Sequence, residues 1–135
     1  MPFVLDHSVA VAWMFENQAT PYSEAVAVRL QRDRAHVPML WELEFTNVLR
    51  TSCIRGRLDG LRAQAMLEQV LGLPIATDRE PVRPAHTLSL ALRYALSTYD
   101  AAYLELALRL QLPIATQDAD LMAAAVASGT GVLQV

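Results

Sequence analysis

Short apolar runs alternate with helical patterns along the whole chain, and no hairpin-type turn joins any two of the runs. "PFVL" (2–5), "HVP" (36–38), "PIAT" (74–77), "LPIAT" (112–116) and "GVLQV" (131–135) read as strands. They are short and largely without a polar face, as strands covered on both sides are. Helical patterns fill the intervals at 8–15, 21–33, 39–56, 59–72, 84–96, 99–111 and 118–129. Pro21 opens one of these, Asp59 is a candidate cap, and Gly56 and Gly72 close two others. Strands separated by helices pair in parallel, because the connection between them must cross over. The expected fold is therefore α/β, a three-layer α/β/α sandwich around a central parallel sheet. At 135 residues the chain is expected to be one domain, long enough to bury a core.

In an open parallel sheet, ligands bind beyond the carboxyl ends of the strands, where the strand order reverses. Asp6 directly follows the first run, and Asp118 follows "LPIAT". Both belong at that rim. Asp100 opens the helix that leads into "LPIAT", and a right-handed crossover turns that end of the helix toward the same rim. Each of the three also suits a helix cap. Asp is a common capping residue, and Ser97 with Asp100 has the S-x-x-D spacing close to a capping box.

Glu44 fits no such explanation. On a helix of about 100° per residue, Trp41, Phe45, Val48 and Ser52 share an apolar stripe, and Glu44 lies roughly 60° from Trp41 and 40° from Val48. Asn47, three residues on, shares its side of the helix. A carboxylate at the edge of the core needs a partner, and the chain contains no lysine. An arginine, a proton or a metal must serve. Three or four oxygen ligands without a His or Cys constellation suit a hard cation, Mg²⁺ or Mn²⁺. His7, His36 and His86 lack metal-ligand spacing; His7 is a possible lining residue, and His86 starts a helix.

The formal net charge of −3 counts against a simple electrostatic nucleic-acid binder. All eleven basic residues are arginine, however, the better bidentate phosphate ligand. Arg50, Arg55, Arg57 and Arg62 form a run that is either a solvated helix surface or a phosphate-facing one. The single cysteine, Cys53, cannot form an internal disulfide and suits a reducing cytoplasm. No apolar run reaches the ~20 residues of a spanning helix, and the N-terminus lacks the basic region of a signal peptide, so no membrane association is expected.

"FVLDHSVAVAWMF", "ELEFTNVL", "LSTYDAAYLELALRL" and "LPIATQDADLMAAA", in that order, resemble the PIN domain of VapC-type toxins over essentially the whole chain. The resemblance implies an acidic site at Asp6, Glu44, Asp100 and Asp118 holding Mg²⁺ or Mn²⁺. Ser8, Asn47 and Thr116 would support it, and Asp120 would be a further carboxylate near it. Tyr99 and Tyr103 read as helix packing. The resemblance also implies an endoribonuclease acting on RNA as the toxin of a toxin–antitoxin pair. Such proteins are typically homodimers, restrained by a small antitoxin.

Two other enzyme classes place Asp at parallel strand ends: receiver-like modules and aspartyl-phosphate phosphatases. Both use a lysine to hold the phosphoryl group, which this chain lacks. A binding module whose carboxylates only cap helices, and the same fold acting on DNA or in RNA processing, remain open from the residues alone.

Overall fold

The computed structural model describes residues 1–135. Four parallel strands form one sheet: β1 (Phe3–Leu5), β2 (Ala35–Pro38), β3 (Ile75–Asp78) and β4 (Ile114–Ala115), in the order β3-β2-β1-β4. Register is set by Val4 opposite both His36 and Ile114, and by Ala35 opposite Ile75. Seven helices flank the sheet: α1 (His7–Met14), α2 (Pro21–Leu30), α3 (Met39–Ile54), α4 (Gly60–Leu71), α5 (Pro84–Tyr94), α6 (Thr98–Leu110) and α7 (Ala119–Ser128). This is the parallel α/β/α arrangement expected from the alternation of runs.

The strand order fixes where function can sit. From β1 the chain moves outward through β2 to β3, then returns to place β4 on the other side of β1. The order reverses between β1 and β4, so their carboxyl ends flank a crevice. Asp6 leaves β1 there and Thr116 leaves β4.

Local chemistry sets most helix ends. Thr20 and Ser23 form a reciprocal capping box ahead of α2, with Pro21 in its first turn. Asp59 caps α4 by accepting from the Arg62 amide at 2.7 Å. Gly129 ends α7 at φ 89°, a conformation that costs a residue with a Cβ but not glycine.

The final run, "GVLQV", is not a strand. Val132 makes one isolated parallel bridge to Ile114. β4 is only two residues long, so it offers too little edge for a fifth strand to extend. Leu133 is still buried, and its amide donates to the Ile114 carbonyl at 2.8 Å.

The core centres on β1, whose three residues are fully buried, and on Tyr103, Leu104 and Leu106 of α6, which packs on β1, β2 and β4. Trp41 and Phe45 of α3 stack with ring centroids 5.3 Å apart. Leu104→Ala therefore leaves a cavity under the sheet. It is expected to cost about 2–5 kcal/mol, read as a lowered urea midpoint with an unchanged m-value.

Candidate active site

Asp6 stands at the first position outside α1 yet makes no capping bond to that helix. It is 2% exposed, and its Oδ2 instead accepts from the Ser8 hydroxyl at 2.7 Å and the Thr116 hydroxyl at 2.8 Å. Thr116 also accepts from the Asp118 amide at 3.0 Å, so one hydroxyl ties the end of β1 to the start of α7. The other carboxylate oxygen, Oδ1, is buried without a hydrogen-bond donor. His7 Nδ1 lies 3.3 Å from it and 3.3 Å from Glu44 Oε2, close enough for charge attraction but not aligned for a hydrogen bond.

Glu44 projects from the middle of α3, as its place on the helix requires. Its partner is neither arginine nor solvent. The Tyr103 hydroxyl donates to Glu44 Oε1 at 2.5 Å. Tyr103 was expected only to pack; its ring is buried, but its hydroxyl joins α6 to α3 across the site. The spacing held a signal: Tyr103 is three residues past Asp100 and so lies on the same side of α6.

Asp100 is not the cap of α6. Ser97 holds that position and accepts from the Asp100 amide at 3.1 Å. The Asp100 carboxylate is half-buried and makes no hydrogen bond or ion pair of its own. Asp118 does cap: its Oδ2 accepts from the Leu121 amide at 2.8 Å, leaving its other oxygen free. Asn47 and Asp120 are exposed, and neither makes a side-chain hydrogen bond. The structure thus joins Asp6, Ser8 and Thr116 directly, places Glu44, Asp100 and Asp118 around them, and leaves Asn47 and Asp120 facing solvent.

The electrostatics show what these groups do to one another. Burial pushes Asp100 up to about 6, and the charges of Asp118, Asp6 and Glu44 push the same way. Burial also raises Glu44, with Asp6 adding to the shift, although Tyr103 and His7 oppose it. Burial alone would raise Asp6, but His7, Ser8 and Thr116 together hold it below the usual carboxylate range. Burial would lower His7, yet the pull of Asp6, Glu44 and Asp100 leaves it raised. Tyr103 is driven far up by burial and by its bond to Glu44, so it stays a donor.

His7 is the sole basic side chain within ion-pair distance of any of the four acids. A second polar cleft on the same rim shows the contrast. There Arg109 grips Asp78 through two nitrogens, at 2.7 and 3.2 Å, and pairs with Glu105 at 2.9 Å. Acids that merely hold the structure together are given arginine; those around Asp6 are not.

A scan against protein families matches residues 3–127 to the PIN domain. The chain is also 31% identical over 115 residues to Ribonuclease VapC12 of Mycobacterium tuberculosis, in strains CDC 1551 / Oshkosh and ATCC 25618 / H37Rv, covering 85% of both chains. It belongs to the VapC-type PIN domain family. The backbone agrees with the crystal structure of PAE2754 from Pyrobaculum aerophilum, at a TM-score of 0.73 and 22% identity, over 92% of this chain and 84% of that one. At that identity the likeness concerns the fold. No helix of this PIN domain is long and apolar enough to cross a membrane.

The sign of the Asp100 shift gives a test. Its pKa is about 6 in the folded chain against an ordinary 3.8, so the folded state binds that proton more tightly than the unfolded state does. Stability is therefore lost as pH rises from about 4 to 6 and stays lost above that window. Asp100→Asn removes the titration and keeps the shape. Without metal, its stability relative to the parent should improve by about 1 kcal/mol between pH 4 and pH 8, after allowance for solvent screening. Melting curves in EDTA at the two pH values measure this, and a gap that does not change with pH refutes it.

Proposed function

We propose that this chain is a divalent-metal-dependent endoribonuclease, the toxin of a toxin–antitoxin pair, with Asp6, Glu44, Asp100 and Asp118 as its catalytic carboxylates. One observation carries the reading: a buried carboxylate, positioned by two hydroxyls, stands among three more with no arginine to neutralise them. Ribonuclease is also the printed activity of the relatives from Mycobacterium tuberculosis.

The donor set fits Mg²⁺ or Mn²⁺ in its chemistry. The ligands are hard oxygens, and Asp6 Oδ1 is buried with no donor to satisfy it. They do not form a finished cage, since no three acidic, His or Cys side chains converge closely enough to hold an ion. Asp6, Glu44, Asp100 and Asp118 would hold the cation between them, and it would supply Lewis acidity toward the phosphodiester and toward the attacking water. The chain's own residues do the rest. Ser8 and Thr116 fix Asp6 Oδ2 and leave Oδ1, beside His7, for the cation. The Tyr103 hydroxyl keeps its proton and fixes one oxygen of Glu44, leaving the other toward His7. Asp118 gives one oxygen to α7 and keeps one for the site. Asn47 and Asp120, both exposed, stand where they can meet substrate or solvent rather than the buried carboxylate.

The substrate is RNA, and single-stranded or looped RNA best, because its bases and backbone are accessible to a crevice. A small antitoxin would restrain the enzyme in the cytoplasm. Exposed apolar side chains such as Leu88 and Leu92 on one side of α5 suit a homodimer contact.

Purified, antitoxin-free protein should cut single-stranded RNA in Mg²⁺ or Mn²⁺ and be silent in EDTA. Intact RNA in both metals would defeat the proposal. Folded-state binding also predicts that millimolar Mn²⁺ raises the melting temperature above that in EDTA; coincident curves remove the metal. Thr116→Val, close in shape but without the hydroxyl that orients Asp6, should lower cleavage about 10–100-fold, as the loss of a ligand's orienting partner does. Unchanged rates would mean that this hydroxyl positions nothing.

A further inference from the structure

Arg50, Arg55, Arg57 and Arg62 gather at the elbow where α3 gives way to α4. The arginines that do pair with acids are Arg29, Arg79, Arg83 and Arg109; the elbow's four pair with none. The elbow's one carboxylate, Asp59, spends an oxygen capping α4. Residues 50–62 therefore carry a local charge of +3 in a chain whose formal net charge is −3. A surface used only for solubility would be expected to mix its signs.

This charge borders a concave feature. Arg57 and Arg62 line an open groove of about 660 Å³ whose apolar wall includes Phe15, Met14 and Met66, with Glu16 as the sole carboxylate. Phe15 is half-buried, packed on the core beneath it. A groove joining guanidinium groups to an aromatic ring is the usual make-up of single-strand nucleic-acid sites, in which the cations track phosphates and the ring stacks on a base.

The groove is connected to the acidic site by two helices. α1 and α3 both start at the carboxylate rim and pack together as they leave it. Phe15 lies nine positions after Asp6, roughly 13 Å along α1 at 1.5 Å per residue. Glu44 and Thr51 of α3 and Arg55 at its end recur at i, i+7 and i+11, which puts Thr51 and Arg55 each within about 20° of Glu44, on one stripe running from site to elbow. At about 3.4 Å per stacked nucleotide, the interval spans roughly four nucleotides.

We propose that the α3–α4 elbow is an RNA-backbone subsite, with Arg57 and Arg62 holding phosphates of the single strand a few nucleotides from the scissile bond and Phe15 stacking on one of its bases. The proposal deepens the ribonuclease reading and rests on it. Charge favours RNA over an apolar protein segment as the occupant, since the groove's free cations need anions.

The test separates binding from cleavage. Fluorescence anisotropy in Mn²⁺ with a labelled single-stranded RNA is measured in an Asp100→Asn background, alone and combined with R57Q/R62Q, with F15L, or with R32Q/R34Q. Arg32 and Arg34 are unpaired arginines in the segment before β2, and neither lines the groove, so their double variant matches the charge change without touching it. Circular dichroism melting confirms that all four variants fold. R57Q/R62Q should weaken binding about tenfold or more, and flatten the slope of log Kd against log salt by about 1.4, or 0.7 for each phosphate lost. F15L should weaken binding about fivefold or more with the salt slope intact. R32Q/R34Q should leave the slope at its starting value. Equal effects of the two arginine pairs, or none from R57Q/R62Q, would overturn the subsite and leave the groove to a protein partner. Cleavage by the parent is scored separately. If the parent cuts RNA while binding ignores the elbow, the subsite fails and the nuclease reading stands. If binding depends on the elbow but nothing is cut, the nuclease reading fails and the subsite stands.

Discussion

The structure depends on a conflict that it does not resolve internally. Four carboxylates are drawn to one rim, and the fold provides a single imidazole against them. The conflict is not spread evenly. Asp6 is the most buried, yet it stays ionised because Ser8, Thr116 and His7 favour its charge. Asp100 has no such support, and burial together with the neighbouring charges pushes it up to about 6. Such an arrangement lowers the stability of the metal-free chain, as sites built for a ligand rather than for the fold commonly do.

Rigid surroundings keep these acids from swinging apart. β1 is fully buried and paired on both sides, so the direction in which Asp6 leaves the sheet is fixed by the register with β2 and β4. Thr116 leaves β4 beside it and reaches Asp6 across the gap between strands. The Tyr103–Glu44 bond then fastens α6 to α3 over the same gap. A sheet, two hydroxyls and a phenol thus hold the carboxylates near each other while none of them neutralises the charge.

Much of this was legible in the sequence, and the reasons differ by residue. The parallel sheet followed from short apolar runs separated by helices, because that pattern has few other solutions. Asp6 and Asp118 followed from the sheet, since residues just beyond parallel strands share one rim. Glu44 followed from helical geometry and the absence of lysine. What periodicity could not supply was the partner of each side chain across long sequence separations. Tyr103 read as packing because a phenol on an apolar helix face usually is, and its reach to Glu44 depends on how α3 and α6 meet. The last run failed as a strand for a related reason. Its composition suits a strand, but pairing depends on its neighbour, and β4 is only two residues long.

Asp100 and Asp118, both at helix starts, show why a capping position alone cannot identify a site. Asp118 is a cap: its carboxylate accepts from the third residue of α7, and an asparagine could do the same. Asp100 is one turn too late to cap, and Ser97 has already taken that role. In the first turn of α6 only the helix dipole favours a charge at Asp100, by roughly 0.3–1 kcal/mol, and half-burial among three other acids gives a larger reason against it. A charge kept there at a net cost fits a residue that serves a ligand rather than the fold. By that argument Asp100 is stronger support for a cation site than Asp118. It also implies that the two oxygens of Asp118 serve different masters, one held by the Leu121 amide and one left for the crevice.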